Sequence, residues 1–206
     1  MWTEDSLDRL VSRIEALPPP PIRLRIGIAG PPGAGKSTLA VDLVDRLNRE
    51  GERAALVPMD GFHLDNRMLE ARGLLPRKGA PETFDAQGFL HMVGRLGREE
   101  EVIIPVFDRT RDIAIAGAAR VGAEHRIAVV EGNYLLLSEP PWDGLRPLWD
   151  LSLMVAPPRE ELRRRLVDRW LGHSLSPDAA TARAEENDLP NAERVLTRSA
   201  PADVAL

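Results

Sequence analysis

The stretch Gly30-Pro31-Pro32-Gly33-Ala34-Gly35-Lys36-Ser37 decides the fold of this chain. It fits the pattern G-x-x-x-x-G-K-[ST] at every fixed position, and this pattern predicts a loop that holds a phosphate group. Glycines let such a loop curl tightly, so that its backbone N–H groups point inward at an anion. The lysine reaches the β- and γ-phosphates, and the serine hydroxyl ligates Mg²⁺. We therefore expect a nucleoside triphosphate to be bound by Gly30, Gly33, Ala34, Gly35, Lys36, Ser37 and Thr38.

The sequence on either side of this loop has the patterns of a strand and a helix. Residues 24–29 form a short apolar run, typical of a buried strand, and residues 38–49 carry apolar side chains at helical spacing. The positive N-terminal end of such a helix favours bound anions. Lysine usage supports a phosphate loop, since only Lys36 and Lys78 are lysines among 27 basic residues. A chain that otherwise uses arginine has lysine where the loop needs a compact ammonium.

The composition predicts a single globular domain over residues 1–206. A net charge of −5 argues against nucleic acid as a partner, since no basic field is available to collect phosphates. The absence of cysteine excludes disulfides, thiolate metal sites and cysteine nucleophiles. The acidic N-terminus lacks a signal-peptide core and no apolar run approaches a membrane span, so we expect a cytoplasmic protein without a membrane partner.

The remaining patterns predict alternating strands and helices. Residues 1–21 form an appended helix over 4–17, with Thr3 as its N-cap, followed by a proline linker. Further strands are predicted at residues 54–59, 102–107, 127–131 and 149–156, with a small hairpin after 107. Helices are predicted at 88–96 and 157–172 and from 177 onward, so that 158–190 forms a helical lid and C-terminal region. Residues 64–87 are expected to be rich in loops, and the tail 200–206 is expected to fray.

This alternation predicts an α/β fold with three layers, α/β/α, around a mostly parallel central sheet. Ligands of such sheets bind beyond the carboxyl ends of the strands. Two acidic residues, Asp60 and Glu131, lie at strand ends of this kind. Glu131 is the candidate that holds Mg²⁺ together with Ser37, and Asp60 is the candidate base that accepts the proton of a hydroxyl acceptor. The alternatives are an ordinary exposed acid at 131 and a turn aspartate before glycine at 60.

Four further motifs follow the phosphate loop in a fixed order: Asp60-Gly61-Phe62-His63, Glu82-Thr83-Phe84-Asp85, Pro105-Val106-Phe107-Asp108 and Glu131-Gly132-Asn133-Tyr134. With this set, residues 22–195 resemble the uridine kinase, pantothenate kinase and phosphoribulokinase group of P-loop kinases, nearest to bacterial kinases labelled fructose-transport-associated or pantothenate-kinase-like. The resemblance implies a P-loop kinase fold, with Asp60 as the catalytic base. It also implies that Asp85 holds acceptor hydroxyls and that Asp108 lies beside the acceptor. His63 is a candidate acceptor contact because it lies three residues after Asp60.

Arginines at 163, 164, 165 and 169 form a basic stripe on the predicted helix 158–172. In kinases of this group, arginines of a lid helix stabilise charge in the transition state, which makes Arg165 and Arg169 candidate catalytic residues. The alternative is a solvated helix with Glu160–Arg164 and Glu161–Arg165 pairs. The four histidines lie far apart in the sequence and predict no metal site.

These features together predict a kinase that uses ATP and Mg²⁺ to phosphorylate a hydroxyl group of a small molecule. Three acids on the acceptor side, Asp60, Asp85 and Asp108, favour a neutral sugar or nucleoside over an anion. A pantothenate-type kinase is the first alternative, and a non-catalytic ATP-binding module of a regulatory or transport system is the second. A GTP switch protein is excluded, since no [NT]-K-x-D motif is present. A homodimer is possible in this group.

Overall fold

The structure is a computed structural model, which describes residues 3–206. Its strands are β1 (Leu24–Ala29), β2 (Ala54–Pro58), β3 (Val102–Asp108), β4 (Ile113–Val121), β5 (Ile127–Gly132), β6 (Leu151–Met154) and β7 (Val204–Ala205). Five of them form a parallel sheet in the order β2-β5-β1-β6-β7. Four of the six residues in each of β1 and β5 have apolar side chains, because these central strands are covered on both faces.

The helices are α1 (Glu4–Glu15), α2 (Lys36–Leu47), α3 (Asn66–Ala71), α4 (Ala86–Leu96), α5 (Arg159–Gly172), α6 (Pro177–Arg183) and α7 (Leu189–Arg198). A π-helical turn, Ala184–Asp188, joins α6 to α7. Short 3₁₀ turns span Met59–Phe62, Leu75–Arg77, Pro81–Thr83 and Trp142–Leu148. Within residues 3–206, no helix is long and apolar enough to cross a membrane.

Two buried clusters cover the two faces of the sheet. On one face, apolar residues of α1, α2 and α5 pack on β1 and β6, including Leu43 and Leu166. On the other face, α4 and the β3–β4 hairpin pack on β5, with Phe89 completely buried. Successive residues of β5 point to opposite faces, so that Val129 belongs to the first cluster and Val130 to the second. The predicted three-layer α/β/α fold is therefore confirmed.

The N-terminal helix agrees with its prediction, whereas the C-terminal tail does not. Helix α1 begins as predicted, since Thr3 and Ser6 form a capping box. Residues 1 and 2 of the predicted segment 1–21 lie outside the described residues. The tail does not fray as expected, because its strand β7 pairs with β6 and forms the edge of the sheet. The Asp203 carboxylate fixes this pairing, since it accepts hydrogen bonds from the Ser152 N–H (2.8 Å) and hydroxyl (2.6 Å).

The β3–β4 hairpin stands apart from the central sheet and forms its own antiparallel pair. The sequence predicted a strand at 102–107 and a hairpin after it; in the structure this strand is itself the first strand of the hairpin. The hairpin packs closely against the turn that carries Asp60. A Cβ atom at Gly61 of this turn would lie 2.5 Å from the Pro105 carbonyl oxygen of the hairpin. Only glycine permits this approach. The loop-rich region between β2 and α4 also contains the short helix α3. Asp65 is the N-cap of this helix, and its carboxylate accepts a hydrogen bond from the Arg67 N–H.

A buried arginine joins the start of the sheet to the elements around it. Arg23 is 1% exposed, so its guanidinium needs hydrogen-bond partners inside the protein. It donates to the backbone carbonyls of Leu96, Glu99, Glu100, Gly122 and His125. These carbonyls lie at and just after the end of α4 and in the turn between β4 and β5, so the side chain ties both segments to the residue that precedes β1.

Candidate active site

The phosphate loop lies between the carboxyl end of β1 and the first turn of α2. Gly33 and Gly35 have positive φ angles of 76° and 96°, a conformation that residues with a side chain rarely adopt. A Cβ atom at Gly30 would collide with the carbonyl oxygen of Val155. Ala34, within the loop, is buried. The loop and the N-terminal end of α2 therefore have the backbone shape that an anion site requires.

Lys36 lies inside this loop and is only 7% exposed. Its Nζ atom donates to the carbonyl oxygen of Pro31 at 3.0 Å and to Oδ1 of Asn133 at 2.7 Å. Burial lowers the pKa of the ammonium, and the negative charges of Glu131 and Asp60 oppose that shift. Both contacts involve neutral oxygens, so an incoming phosphate oxygen would bring Lys36 a stronger partner.

Glu131 and Ser37 provide oxygen ligands at the predicted metal position. Burial raises the pKa of Glu131, while the nearby charge of Lys36 and a hydrogen bond with Ser37 act in the opposite direction. A carboxylate and a hydroxyl are the hard oxygen donors that Mg²⁺ prefers, and Mg²⁺ usually takes its other ligands from water and substrate phosphates. No group of three or more His, Asp or Glu side chains within residues 3–206 could hold a metal by itself. The donor set therefore fits Mg²⁺ that arrives with a nucleotide.

Asp60 follows β2 directly and faces the same cavity. Its carboxylate accepts a hydrogen bond from Nη2 of Arg109 at 2.9 Å, which belongs to the turn between β3 and β4. The side chain of Asp60 is partly sheltered, whereas that of Arg109 is mostly exposed. Asp60 therefore lies where an acceptor hydroxyl could replace the arginine.

His63 lies in an aromatic stack beside Asp60. Its ring centroid is 4.1 Å from that of Phe84 and 4.6 Å from that of Phe107. Its Nδ1 atom lies 2.8 Å from the carbonyl oxygen of Asp60. Burial lowers the pKa of His63, so the neutral ring is favoured. A neutral ring that donates from Nδ1 to that carbonyl leaves Nε2 as a hydrogen-bond acceptor.

Lys78, the second lysine of the chain, also lines the cavity. Its Nζ atom lies 2.8 Å from Oδ2 of Asp112, 2.6 Å from Oδ1 of Asn66 and 5.1 Å from the ring centroid of Phe107. The backbone directly after this lysine is held as well, since the Gly79 carbonyl accepts from the Tyr134 hydroxyl at 2.5 Å. Lys78 is thus a cation with several partners, on the wall of the cavity that the candidate base Asp60 also lines.

The lid region brings a cluster of aromatic and charged groups to the cavity. The indole N–H of Trp170 donates to the buried Asp188 carboxylate at 2.5 Å. Arg169 and Arg183 lie over the same indole, at 5.4 and 5.3 Å from its centroid. Burial raises the pKa of Asp188, and the Trp170 hydrogen bond opposes this. Arg183 also donates to the backbone carbonyls of Pro76 and Lys78, so the lid contacts the loop that carries Lys78.

Arg165 behaves differently from Arg169. It does not line the cavity; its Nη1 atom donates to the carbonyl oxygens of Gly33 (3.3 Å) and Ala34 (3.1 Å). Glu161 holds its Nε atom at 2.8 Å, which is the predicted i,i+4 pair. Arg164 pairs with Glu161 and Asp168 instead of the expected Glu160. In this structure Arg165 therefore supports the outer side of the phosphate loop, and Arg169 is the arginine that faces the cavity.

Two of the predicted acceptor contacts lie outside the cavity. The Asp85 carboxylate caps α4 and accepts from the Gly88 N–H at 2.9 Å. Asp108 accepts from the Thr110 and Arg111 N–H groups and from the Arg111 guanidinium, and these bonds hold its pKa below the usual range. Both carboxylates already have local partners, so the expectation that they hold the acceptor loses its basis here. The acidic acceptor side predicted from the sequence is reduced to Asp60.

One cavity of about 670 Å³ joins these groups. Of the predicted residues, it is lined by Gly33, Gly35, Lys36, Ser37, Thr38, Asp60, His63, Glu131 and Arg169. It is also lined by residues that sequence reasoning did not select: Lys78, Arg109, Asp112, Asn133, Trp170, His173, Arg183 and Asp188. The rarity of lysine was the available signal for Lys78. For Arg109 and Trp170 no local sequence signal existed, because tertiary packing brings them to the cavity.

Comparison with known proteins places these motifs in a family. The family profile described as "Methylmalonyl Co-A mutase-associated GTPase MeaB" matches residues 10–62, which hold the phosphate loop but are a minor part of the chain. A crystal structure from Silicibacter sp. TM1040, provisionally named a fructose transport system kinase, is 52% identical with a TM-score of 0.93, and covers 97% of this chain and 98% of its own.

Two curated relatives support the same placement. A Schizosaccharomyces pombe protein, provisionally named uridine kinase C227.14, is 33% identical over 98% of this chain and 90% of its own length. The pantothenate kinase of Streptomyces avermitilis is 35% identical over 70% of this chain, but the match spans 47% of that enzyme. With the phosphate loop, the cavity and the order of motifs in place, the chain belongs to the uridine kinase, pantothenate kinase and phosphoribulokinase family of P-loop kinases.

Proposed function

We propose that this kinase transfers the γ-phosphoryl group of ATP to a hydroxyl of a small, sugar-like or nucleoside-like metabolite in the cytoplasm. The observation that carries the proposal is the convergence of three groups on one cavity: Lys36 in the phosphate loop, the Ser37–Glu131 oxygen pair and the Asp60 carboxylate. These are the parts that hold phosphates, ligate Mg²⁺ and orient an attacking hydroxyl.

The transfer uses few chemical steps. Asp60 accepts the proton of the acceptor hydroxyl as its oxygen attacks the γ-phosphorus atom. The bond between that phosphorus and the bridging β–γ oxygen breaks, and its electron pair leaves with ADP. Lys36 and Arg169 neutralise the charge that develops on the phosphate oxygens. When bound, Mg²⁺ would be held by Ser37 and Glu131 and would shield the β- and γ-phosphates.

The arginine on Asp60 defines the resting state of the site. Nη2 of Arg109 donates to the Asp60 carboxylate at 2.9 Å and so occupies the position that the acceptor hydroxyl would take as donor. Arg109 is mostly exposed, so it can leave Asp60 at small cost when a hydroxyl arrives. The acceptor therefore binds between the phosphate loop and the β3–β4 turn.

Three other functions are weaker. A pantothenate-type kinase is the nearest alternative, favoured by the Asp60-Gly61-Phe62-His63 form of the motif. A GTPase like the MeaB family lacks support, since that match is confined to residues 10–62. A non-catalytic ATP-binding module would have no use for an ordered carboxylate beside the phosphate loop, which argues against it.

The test is an acceptor panel assayed for ADP release with ATP and Mg²⁺. The panel should include sugars, polyols, nucleosides and pantothenate, with Lys36→Ala as the inactive control. We expect at least one hydroxyl compound to raise ADP release in proportion to the phosphorylated product. ATP binding without acceptor-stimulated ADP release anywhere in the panel would favour the binding module instead.

A further inference from the structure

The turn between β3 and β4, residues 109–112, forms two ion pairs with the wall of the cavity. Arg109 contacts Asp60 at 2.9 Å, and Asp112 contacts Lys78 at 2.8 Å. Thus the wall presents one anion and one cation, and the turn supplies the opposite charge to each. All four residues line the same cavity.

The two wall groups, Asp60 and Lys78, both contact one aromatic stack, which is formed by His63 and Phe107. His63 bonds to the Asp60 carbonyl through Nδ1, and its ring stacks 4.6 Å from that of Phe107. The Lys78 ammonium lies 5.1 Å from the centroid of the same Phe107 ring. A small molecule seated against this stack can reach both the Asp60 carboxylate and the Lys78 ammonium.

The groups of the turn are the replaceable members of both pairs. The side chains of Arg109 and Asp112 are 59% and 54% exposed, whereas those of Asp60 and Lys78 are 28% and 12% exposed. Exposed groups regain water when they leave, whereas a sheltered ammonium without an anion loses stabilisation. Lys78 therefore keeps a strong preference for a negative partner when Asp112 moves away.

From this crossed pairing we infer that the acceptor carries an anionic group, a carboxylate or a phosphate, next to the hydroxyl that is phosphorylated. Its hydroxyl replaces Arg109 as the donor to Asp60, and its anionic group replaces Asp112 as the partner of Lys78. Asn66, whose Oδ1 atom lies 2.6 Å from Nζ, keeps the ammonium in place during the exchange. This inference rests on the proposed kinase function and narrows its sugar-like or nucleoside-like acceptor to one that carries a carboxylate or a phosphate, in place of the neutral acceptor expected from the sequence.

The neighbouring charges agree with this assignment. The acids Asp85 and Asp108, which would repel an anion, are turned to local partners outside the cavity. Arg183 adds a further cation to the lining on the lid side. The remaining acid there, Asp188, is held by the Trp170 indole N–H.

The first experiment measures anion binding without relying on turnover. Inorganic phosphate is titrated against the full chain in the presence of Mg²⁺ and a saturating non-hydrolysable ATP analogue, which occupies the phosphate loop. The midpoint of thermal unfolding reports binding. We expect Lys78→Gln to raise the half-saturating phosphate concentration about tenfold or more, the loss expected for a charge-assisted contact. Asp112→Asn should lower this concentration, because it removes the competing carboxylate.

Arg111→Gln is the matched control, since it removes one positive charge from the same turn. Arg111 pairs with Asp108, and neither residue lines the cavity. It should titrate like the unaltered chain. Equal phosphate titrations in the unaltered chain and Lys78→Gln would overturn the inference. An Asp112→Asn titration no tighter than that of the unaltered chain would overturn it as well.

The second experiment compares three acceptors that share one carbon skeleton: a polyol, its terminal carboxylic acid and its terminal phosphate ester. We expect the acid or the ester to have the lower KM, and the comparison of the two identifies which anion is used. Lys78→Gln should raise that KM much more than the KM for ATP. Preference for the neutral polyol would leave the kinase proposal intact and sink the anionic one. The skeleton is that of the compound with the highest turnover in the acceptor panel; if no compound of the panel stimulates ADP release, the kinase proposal fails, while the phosphate titration still decides the role of Lys78.

Discussion

Lys36 of the phosphate loop donates a hydrogen bond to Asn133, with its Nζ atom 2.7 Å from Oδ1 of that residue. The contact links the loop to the residue that directly follows β5, and β5 carries the candidate metal ligand Glu131 near its end. The candidate phosphate-binding group and the candidate Mg²⁺ ligand are therefore organised by one short stretch of chain, residues 131–133.

The first prediction concerns Lys36 itself. Lys36→Ala should abolish phosphoryl transfer, and Lys36→Arg should also be poor, because a planar guanidinium cannot replace a compact ammonium inside the loop. ATP titration and ADP release measure both effects. Full activity of Lys36→Arg would show that a positive charge at this position suffices, against our account of the loop.

The second prediction separates the two lid arginines. Arg165 supports the carbonyls of Gly33 and Ala34 from outside, whereas Arg169 faces the cavity. Arg165→Ala should raise the KM for ATP about tenfold, since it loosens the loop, with a smaller change in kcat. Arg169→Ala should lower kcat by about 10²-fold, as expected for a group that stabilises developing charge.

Arg163→Ala is the control for both arginine variants, because it removes a positive charge from the same helix. Arg163 pairs with Glu185 at the surface. It should leave kcat and the KM for ATP nearly unchanged. A large fall in kcat for Arg165→Ala, equal to that for Arg169→Ala, would return Arg165 to the catalytic role suggested by the sequence.

The third prediction concerns stability. Arg23→Met should lower the free energy of unfolding by about 3 kcal/mol or more, because five backbone carbonyls lose their buried donor. Urea denaturation measures this change. Arg67→Met is the control, because the Arg67 side chain is 90% exposed and should cost less than about 0.5 kcal/mol. A similar loss for both variants would contradict the structural role of Arg23.

The fourth prediction concerns pH. Burial lowers the pKa of His63 below its usual 6.5, so the unfolded chain binds the proton more tightly than the folded chain. Stability contributed in this way is present above pH 6.5 and is lost as the pH falls through the interval between the two pKa values. His63→Asn should therefore show a shallower loss of unfolding free energy between about pH 7 and 5.

His91→Asn provides the comparison, because His91 is exposed on α4. It should keep the pH slope of the unaltered chain. If His63→Asn lost stability as steeply as the unaltered chain over this range, the neutral buried ring would not be the source of the slope.

Local patterns were sufficient to predict the central part of the fold. The strand, the phosphate loop and the helix over residues 24–49 follow one another without a break, so that apolar spacing and glycine positions specify them. The end of the chain was different. Val204 and Ala205 pair with β6 only because Asp203 meets Ser152 across the sheet edge, and such a contact has no local signal.

The acceptor side was harder to predict because carboxylates have competing local uses. Asp85 lies one residue before the first residue of α4, and a helix that begins at Ala86 takes this side chain as its cap. The sequence prediction began this helix at residue 88, which left Asp85 free for the cavity. Asp108 is bound in the same way by the N–H groups of Thr110 and Arg111. The cations that line the cavity come from segments far apart in the sequence.

The central claim is that Asp60 activates the acceptor, and single-turnover phosphoryl transfer by Asp60→Asn tests it most directly. Asp108→Asn, in which the altered carboxylate lies outside the cavity, is the matched control. We predict that Asp60→Asn binds ATP with nearly unchanged affinity and transfers the γ-phosphoryl group about 10²–10⁴-fold more slowly, while Asp108→Asn remains close to the unaltered chain. A transfer rate within about threefold of the unaltered chain would contradict the claim and make Asp60 a structural turn residue.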